Sequence, residues 1–362
     1  MRLAQLSPVP LLAPALALAQ GTVTVYGITD VSVLRGTGSV ANRVQLASGG
    51  MDLSRLGLSG AEDLGNGYKA TFGLEADVVV DSGRGVPSNA DNQPIPNSAP
   101  LLGAQGLLFD RLAVVGMQAP WGGFRVGRDY TPSFVVQALY DPGGAGGQLG
   151  TQSTYGSIVF NSQPAAVRAS NSIAIAIGEL RDGPLLHLSY ALGENPSNSG
   201  ATRHDGEYRG ARLAYTKPAV DVALGYGVYK VSSLGDIRQL VLGGKFTVRD
   251  TTLWLEHLRE WTGNSDRMHG SMIGLSHTIG PWWLRTSLSH SARSSFAGAP
   301  VGTTLKAVAG VAYNFSKRTA VYGNLARTRN SHGATQLPNT AIAQTAPNHG
   351  GTGQELGVRH SF

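Results

Sequence analysis

This sequence predicts an all-β fold: a closed transmembrane antiparallel β-barrel of about sixteen strands, on three observations. Apolar and polar residues alternate with period two, as in Val23, Val25, Val31 and Val33 against Thr24, Tyr26, Asp30 and Ser32. The chain stops inside such a pattern, at Gly357-Val358-Arg359-His360-Ser361-Phe362, which leaves a strand edge that the first strand can close. Short turns also alternate with long polar loops, the pattern of a barrel that crosses a bilayer.

The first strand is Thr22–Leu34, and its polar inner face suits a water-filled lumen rather than a packed sandwich core. Arg35–Ala41 reads as a Gly-rich loop. The second strand ends in Ser54–Gly60, with Leu56 and Leu58 outward and Arg55, Gly57 and Ser59 inward. Ala61–Gly67 makes a tight turn into the third strand, Tyr68–Val80. Asp81–Gly106 has no period and is rich in Gly, Pro, Asn and Ser, so it reads as a surface loop. Leu107–Met117 and Gly123–Asp129 form a hairpin around Ala119-Pro120-Trp121-Gly122. The longest break runs from Tyr130 to about Ala166, and its Asp141–Gly147 stretch is too glycine-rich for helix or strand. In a barrel such an excursion can fold into the lumen.

Further strands follow near Arg168–Ile177, Pro184–Leu192, Glu207–Thr216, Val220–Tyr229, Ile237–Arg249 and Thr251–Trp261. The series continues with Arg267–Ile279, Trp282–Ser291, Thr304–Phe315, Ala320–Arg329 and Gln354–Phe362. Turns at Lys217-Pro218, Arg249-Asp250, Gly280-Pro281 and Ser316–Thr319 are short, whereas Gly193–His204, Ser294–Gly302 and Asn330–Gly350 are longer polar loops. Similar phrases close several strands, such as Leu275–Ile279 and Val311–Phe315, as a membrane–water boundary would impose.

Composition narrows the function classes. The chain has 362 residues, 41% hydrophobic and 14% charged, and no apolar run long enough for a spanning helix. It has no Cys, which excludes disulfides and thiolate chemistry. The formal charge of +6 is spread without a Lys/Arg run, so no nucleic-acid partner is expected. Residues 1–19, with Arg2 as the one charge and Ala17-Leu18-Ala19 before Gln20, read as a cleaved secretory signal; 20–362 is then the barrel. Gly143–Gly147 lacks the spacing of a phosphate-cradling loop, the nine His form no H-x-x-x-H pair, and Gly-x-Ser-x-Gly is missing. No cofactor, metal site or enzymatic activity is therefore expected. Two other readings stay open: a substrate-specific channel, which needs an aromatic-lined lumen, and an outer-membrane enzyme barrel, which needs a Ser/His or Asp/His set on one rim.

Five stretches, in order, carry a resemblance: Val23–Gly27, Ser54–Gly65, Val126–Pro132, Ser316–Thr319 and the terminal Gly357–Phe362. Together they resemble the general trimeric outer-membrane porins of the beta-proteobacterial type known from Neisseria, Bordetella and Comamonas. The resemblance implies a sixteen-stranded barrel in the bacterial outer membrane, exported through the periplasm, and a third loop folded inward as a constriction. It also implies a homotrimer surrounded by outer-membrane lipid, and a terminal aromatic, Phe362, read by the barrel-assembly machinery. This chain departs from the pattern in its long second loop, its sparsely charged signal and its Gly/Ala-rich third loop.

Arg55, Arg111 and Arg168 fall on the lumen side of strands flanking the third loop. The resemblance makes them wall arginines of an anion-attracting constriction; the plainer reading is wall residues held in salt bridges. Asp141, on the inward loop, is the expected opposing charge, or else an ordinary turn aspartate before Pro142. Arg125 and Arg128 are further candidates. Guanidiniums keep their charge even when crowded, so a lumen lined by them should concentrate anions. The expected function is passive diffusion of small hydrophilic solutes and ions, with a preference for anions.

Overall fold

The computed structural model describes residues 21–86, 92, 108–143, 147–150, 164–178, 182–263, 267–295, 298–339 and 343–362. The expected signal, 1–19, and most of the Asp81–Gly106 loop lie outside these residues.

The strands, in chain order, are β1 (Thr22–Gly38), β2 (Arg43–Ser48), β3 (Arg55–Gly65), β4 (Tyr68–Val79), β5 (Arg84–Gly85) and β6 (Leu112–Ala119). They continue with β7 (Gly122–Tyr130), β8 (Arg168–Gly178), β9 (Gly183–Ala191), β10 (Tyr208–Lys217), β11 (Val220–Tyr229) and β12 (Ile237–Val248). The series ends with β13 (Thr251–Thr262), β14 (Arg267–Ile279), β15 (Trp282–Ser294), β16 (Pro300–Asn314), β17 (Thr319–Ser331) and β18 (Gly351–Ser361). One helix, α1 (Pro132–Leu139), follows β7.

Every wall pairing is antiparallel and the sheet closes on itself. β2 and β3 together make one wall strand: β2 pairs with β1 over Val31–Gly36, β3 pairs with it over Thr22–Ile28, and residues 49–54 bulge toward the lumen between them. β5 is a two-residue stub on β4. The wall therefore has sixteen strands, as the alternation predicts.

The closing seam pairs β1 with β18 from Ile28↔Ser361 to Gly38↔Gly351. The last residue extends it: Phe362 N–H donates to the Gly27 carbonyl at 3.1 Å, and Gly27 N–H donates back at 3.2 Å. Gly27 is needed for close approach, because a Cβ there would run into the Phe362 ring.

Several boundaries differ from the sequence expectation: β3 runs through most of the expected Ala61–Gly67 turn to Gly65, and the turn itself is Asn66-Gly67. β1 runs through the expected Arg35–Ala41 loop to Gly38, and β18 begins at Gly351. Gly36 pairs with Gly353 there, and glycines carry no side-chain alternation to read. β15 runs to Ser294 and β16 begins at Pro300, so both ends of the expected Ser294–Gly302 loop are strand. β6 begins only at Leu112, which leaves Asp110 and Arg111 in the bend before it. The helix α1 was not expected; Pro132 at its first turn supplies a preset φ where no N–H is required.

The two faces are inverted relative to a soluble protein. Val23, Val33, Leu213, Ile273, Leu288 and Leu356 point out and are exposed, whereas Ser32, Glu75, Gln239, Glu260, Lys306 and Glu355 point in and are buried. Such a surface is stable only against hydrocarbon. Near the turn rim Trp282 packs edge-on against Tyr313 at 4.8 Å and Tyr313 against Phe315 at 5.0 Å, part of an aromatic belt.

Candidate pore constriction

Period two places Arg55 at the inward start of β3 and Arg168 at the inward start of β8, while Arg111 reaches in from the bend before β6. The structure brings the three together around two carboxylates of β4. Glu75 and Asp77 are two residues apart, so both face the lumen, and Arg55 lies directly across from Asp77. Arg111 is the hub: its Nε meets Glu75 at 2.5 Å and its Nη1 meets Asp77 at 2.5 Å, while Nη2 donates to the Tyr130 hydroxyl at 2.8 Å. Arg55 reaches Glu75 at 3.4 Å, and Arg168 reaches Asp77 at 3.8 Å. Arg168 also lies over the Tyr130 ring, 4.9 Å from its centroid.

The arginines are thus supported by acids on a strand between them, and do not face Asp141 alone. Three guanidiniums against two carboxylates leave one net positive charge on this wall. Arg111 is the least exposed, with 7% of its side chain open, against 26% for Arg55 and 11% for Arg168. Nearby, Arg128 donates to the Asp110 carbonyl at 2.5 Å and to Ser170 Oγ at 2.8 Å, while Arg125 pairs with Asp129 at 2.8 Å. Asp110, outside the strands, accepts the Asp77 N–H at 2.8 Å; burial and the Asp77 charge outweigh that bond and push its carboxyl up to about 6.

The third loop crosses the lumen. α1 packs against the inner faces of β10, β11 and β12, with Val136 fully buried. Tyr140, which follows it, is buried and donates to Asp221 at 2.6 Å. Arg285 of β15 then holds the Pro142 carbonyl at 3.2 Å. Lys306 of β16 holds the Gly150 carbonyl at 2.5 Å, and Gln148 bonds the backbone of Ser48 and Gly50. Asp141 is buried and accepts the Gly143 N–H at 2.7 Å, the turn geometry of the plainer reading. Its carboxylate lies in electrostatic reach of Arg285 and Lys306, on the far side of the loop's path.

The expected long polar loop Asn330–Gly350 also reaches the third loop and the inward Lys306. Leu337 is buried, Asn339 bonds Gln148, and the Pro338 carbonyl accepts from Lys306 Nζ at 3.0 Å. The reason is the inward Lys306: a buried ammonium needs oxygen acceptors, and two loops supply them. Beside the arginine cluster, on the neighbouring β1, Asp30 accepts the N–H groups of Gly50, Met51 and Asp52 and the Tyr322 hydroxyl. Glu355 there accepts from Ser32 and Asn324, both at 2.8 Å.

Glu75, Asp77, Asp110, Tyr130, Arg285 and Lys306 escaped the sequence reading. The Glu75-x-Asp77 spacing within a strand was a usable signal for two inward acids. Lys306 carried no such signal, because its partners are loop carbonyls.

Comparison with known proteins agrees with this geometry. The Gram-negative porin family profile matches residues 7–333. Outer membrane porin protein 32 of Delftia acidovorans is 27% identical over 368 residues, covering 97% of each chain. A Bordetella pertussis outer membrane porin is 33% identical over 146 residues, 36% of this chain and 34% of that one. The structure of an anion-selective porin from Comamonas acidovorans superposes with a TM-score of 0.77 at 26% identity, over 95% of this chain and 100% of the other.

Proposed function

The chain belongs to the Gram-negative porin family and is an integral β-barrel of the bacterial outer membrane, and we propose that its lumen is an anion-preferring diffusion pore gated by the Arg55–Arg111–Arg168 wall. The observation that carries this reading is the net positive charge of that cluster on the lumen wall, beside Tyr130 at the start of the third loop. The anion selectivity of the Comamonas acidovorans porin supports it by likeness. In a narrow lumen with low-dielectric walls, a fixed unit charge attracts anions more strongly than in bulk water. Asp141 belongs to the seating of the third loop against Arg285 and Lys306.

The test is a single-channel reversal potential in a salt gradient. Arg55→Ser with Arg168→Ser, which spares the hub Arg111, is expected to move the potential toward cation preference. An unchanged potential would make these arginines purely structural and place selectivity elsewhere.

Assembly as a homotrimer through the barrel-assembly machinery, with Phe362 as the recognised residue, is part of the same proposal. Deleting Phe362 removes the last rung of the seam with Gly27 and is expected to leave unfolded material outside the membrane. Normal yields of heat-modifiable trimer from the deletion would sink that role.

A further inference from the structure

On β9 and β10, His187 and Arg212 are direct cross-strand partners and both face the lumen, so their Cβ atoms lie about 5 Å apart. Across β8, Arg125 of β7 also faces in, between the outward Phe124 and Val126. It pairs with Ala174, and Ala176, the next inward residue of β8, pairs with His187. Those two alanines keep the wall low between Arg125 and His187. On its other side Arg212 pairs with Gly225, where a Cβ would meet Ser133 and Val136 of α1. The three side chains thus share a low stretch of lumen wall beside α1, about 15 Å along β7 from Tyr130 toward the short turns.

This stretch is short of anions. Arg125 is answered by Asp129 at 2.8 Å. Arg212 is 5% exposed, its Nε is buried with no hydrogen-bond partner, and no carboxylate lies within ion-pair distance of it among the described residues. His187 Nε2 is likewise buried without a partner. Asp221, whose field reaches Arg212, already accepts from Tyr140 at 2.6 Å and pairs with Lys245 at 3.2 Å. A cation that served only the fold would be answered as Arg111 is by carboxylates or Arg285 by a carbonyl, because an unanswered buried charge is costly. The fork of a guanidinium matches the paired oxygens of an oxyanion, which a halide lacks. We propose that Arg212, His187 and Arg125 form a second anion station on the turn side of the third loop, fitted to a phosphate-type oxyanion. The station deepens the reading of the lumen as an anion pore and rests on it for how the ligand arrives.

The test takes the constriction out of the measurement first. Folded, detergent-solubilised protein carrying Arg55→Ser and Arg168→Ser is titrated with inorganic phosphate, and binding is read from the width of the phosphorus NMR line. Saturable broadening is expected to survive that change. Adding Arg212→Gln is expected to weaken phosphate about tenfold or more, the loss of a charge-assisted hydrogen bond. Arg212→Lys, which keeps the charge and loses the fork, should fall between the two, and so should His187→Ala. Absence of saturable broadening in the Arg55→Ser, Arg168→Ser protein, or equal phosphate affinity with and without Arg212→Gln, would overturn the station. Phosphate held as tightly by Arg212→Lys as by its parent would overturn the fit to an oxyanion, since charge alone would then suffice. A wild-type channel without anion preference would sink the pore reading alone, because this binding is measured at equilibrium in detergent.

Discussion

On the β3–β8 side of the lumen, three arginines lean on Glu75 and Asp77 of β4 and keep part of their surface open to water. On the β15–β1 side, Arg285 and Lys306 hold the carbonyls of Pro142, Gly150 and Pro338, and Lys306 is fully buried. The same residue types therefore do different work. A cation supported by a neighbouring acid and open to the lumen can act on passing ions. One wrapped in loop carbonyls acts on the loops, and its field reaches the solute only through them.

The hardest break of this contrast is to remove the acids. Glu75→Gln with Asp77→Asn leaves three guanidiniums crowded with Asp110 as the nearby negative charge, at a cost of about 3–5 kcal/mol for a mostly buried network. The expected outcome is a lower midpoint of heat dissociation together with stronger anion preference. Arg111→Ser leaves Glu75 to Arg55 and Asp77 to Arg168 at their longer distances, and should cost less, with the opposite sign of selectivity. An unshifted midpoint in both would mean that the network is not what supports the wall.

On the other wall, Lys306→Met frees two buried carbonyls, at a cost of about 1–3 kcal/mol for each one left without a partner. Its signature should be a noisier single-channel current, as the third loop and the 332–350 loop loosen, with little change of reversal potential. A clear shift of reversal potential on a quiet channel would reverse the roles assigned to the two walls.

The smallest effect comes from pH. Burial raises the Asp110 carboxyl to about 6 in the folded barrel, so below that pH the arginine wall loses one negative neighbour. Anion preference should rise as pH falls through about 6, by a few-fold at most, since one charge a few ångströms away is worth on the order of 1 kcal/mol in water-like surroundings. The stability sign follows from the same shift. A carboxyl with a raised folded pKa disfavours the charged folded state, so Asp110 lowers stability as pH rises from about 4 to about 6. Asp110→Asn should flatten the selectivity profile, and a profile that keeps its step at that pH assigns it to another group.

Strand number, the closure at Phe362 and the inward facing of Arg55 and Arg168 were all legible in the sequence, because each follows from a period of two that is local to a strand. Where side chains vanish, as in Gly36 and Gly38, the period vanishes too, and the boundary was misplaced. The partnerships of the constriction were decided only by the closed sheet. Arg55 meets Glu75 through the β3–β4 register, but Arg111 and Arg168 join them because β6, the bend before it and β8 bring distant residues to one level. The seating of Pro338 on Lys306 likewise joins residues that no strand pairs. Alternation tells a side chain which face to take; the tilt and register of sixteen strands decide what it finds there.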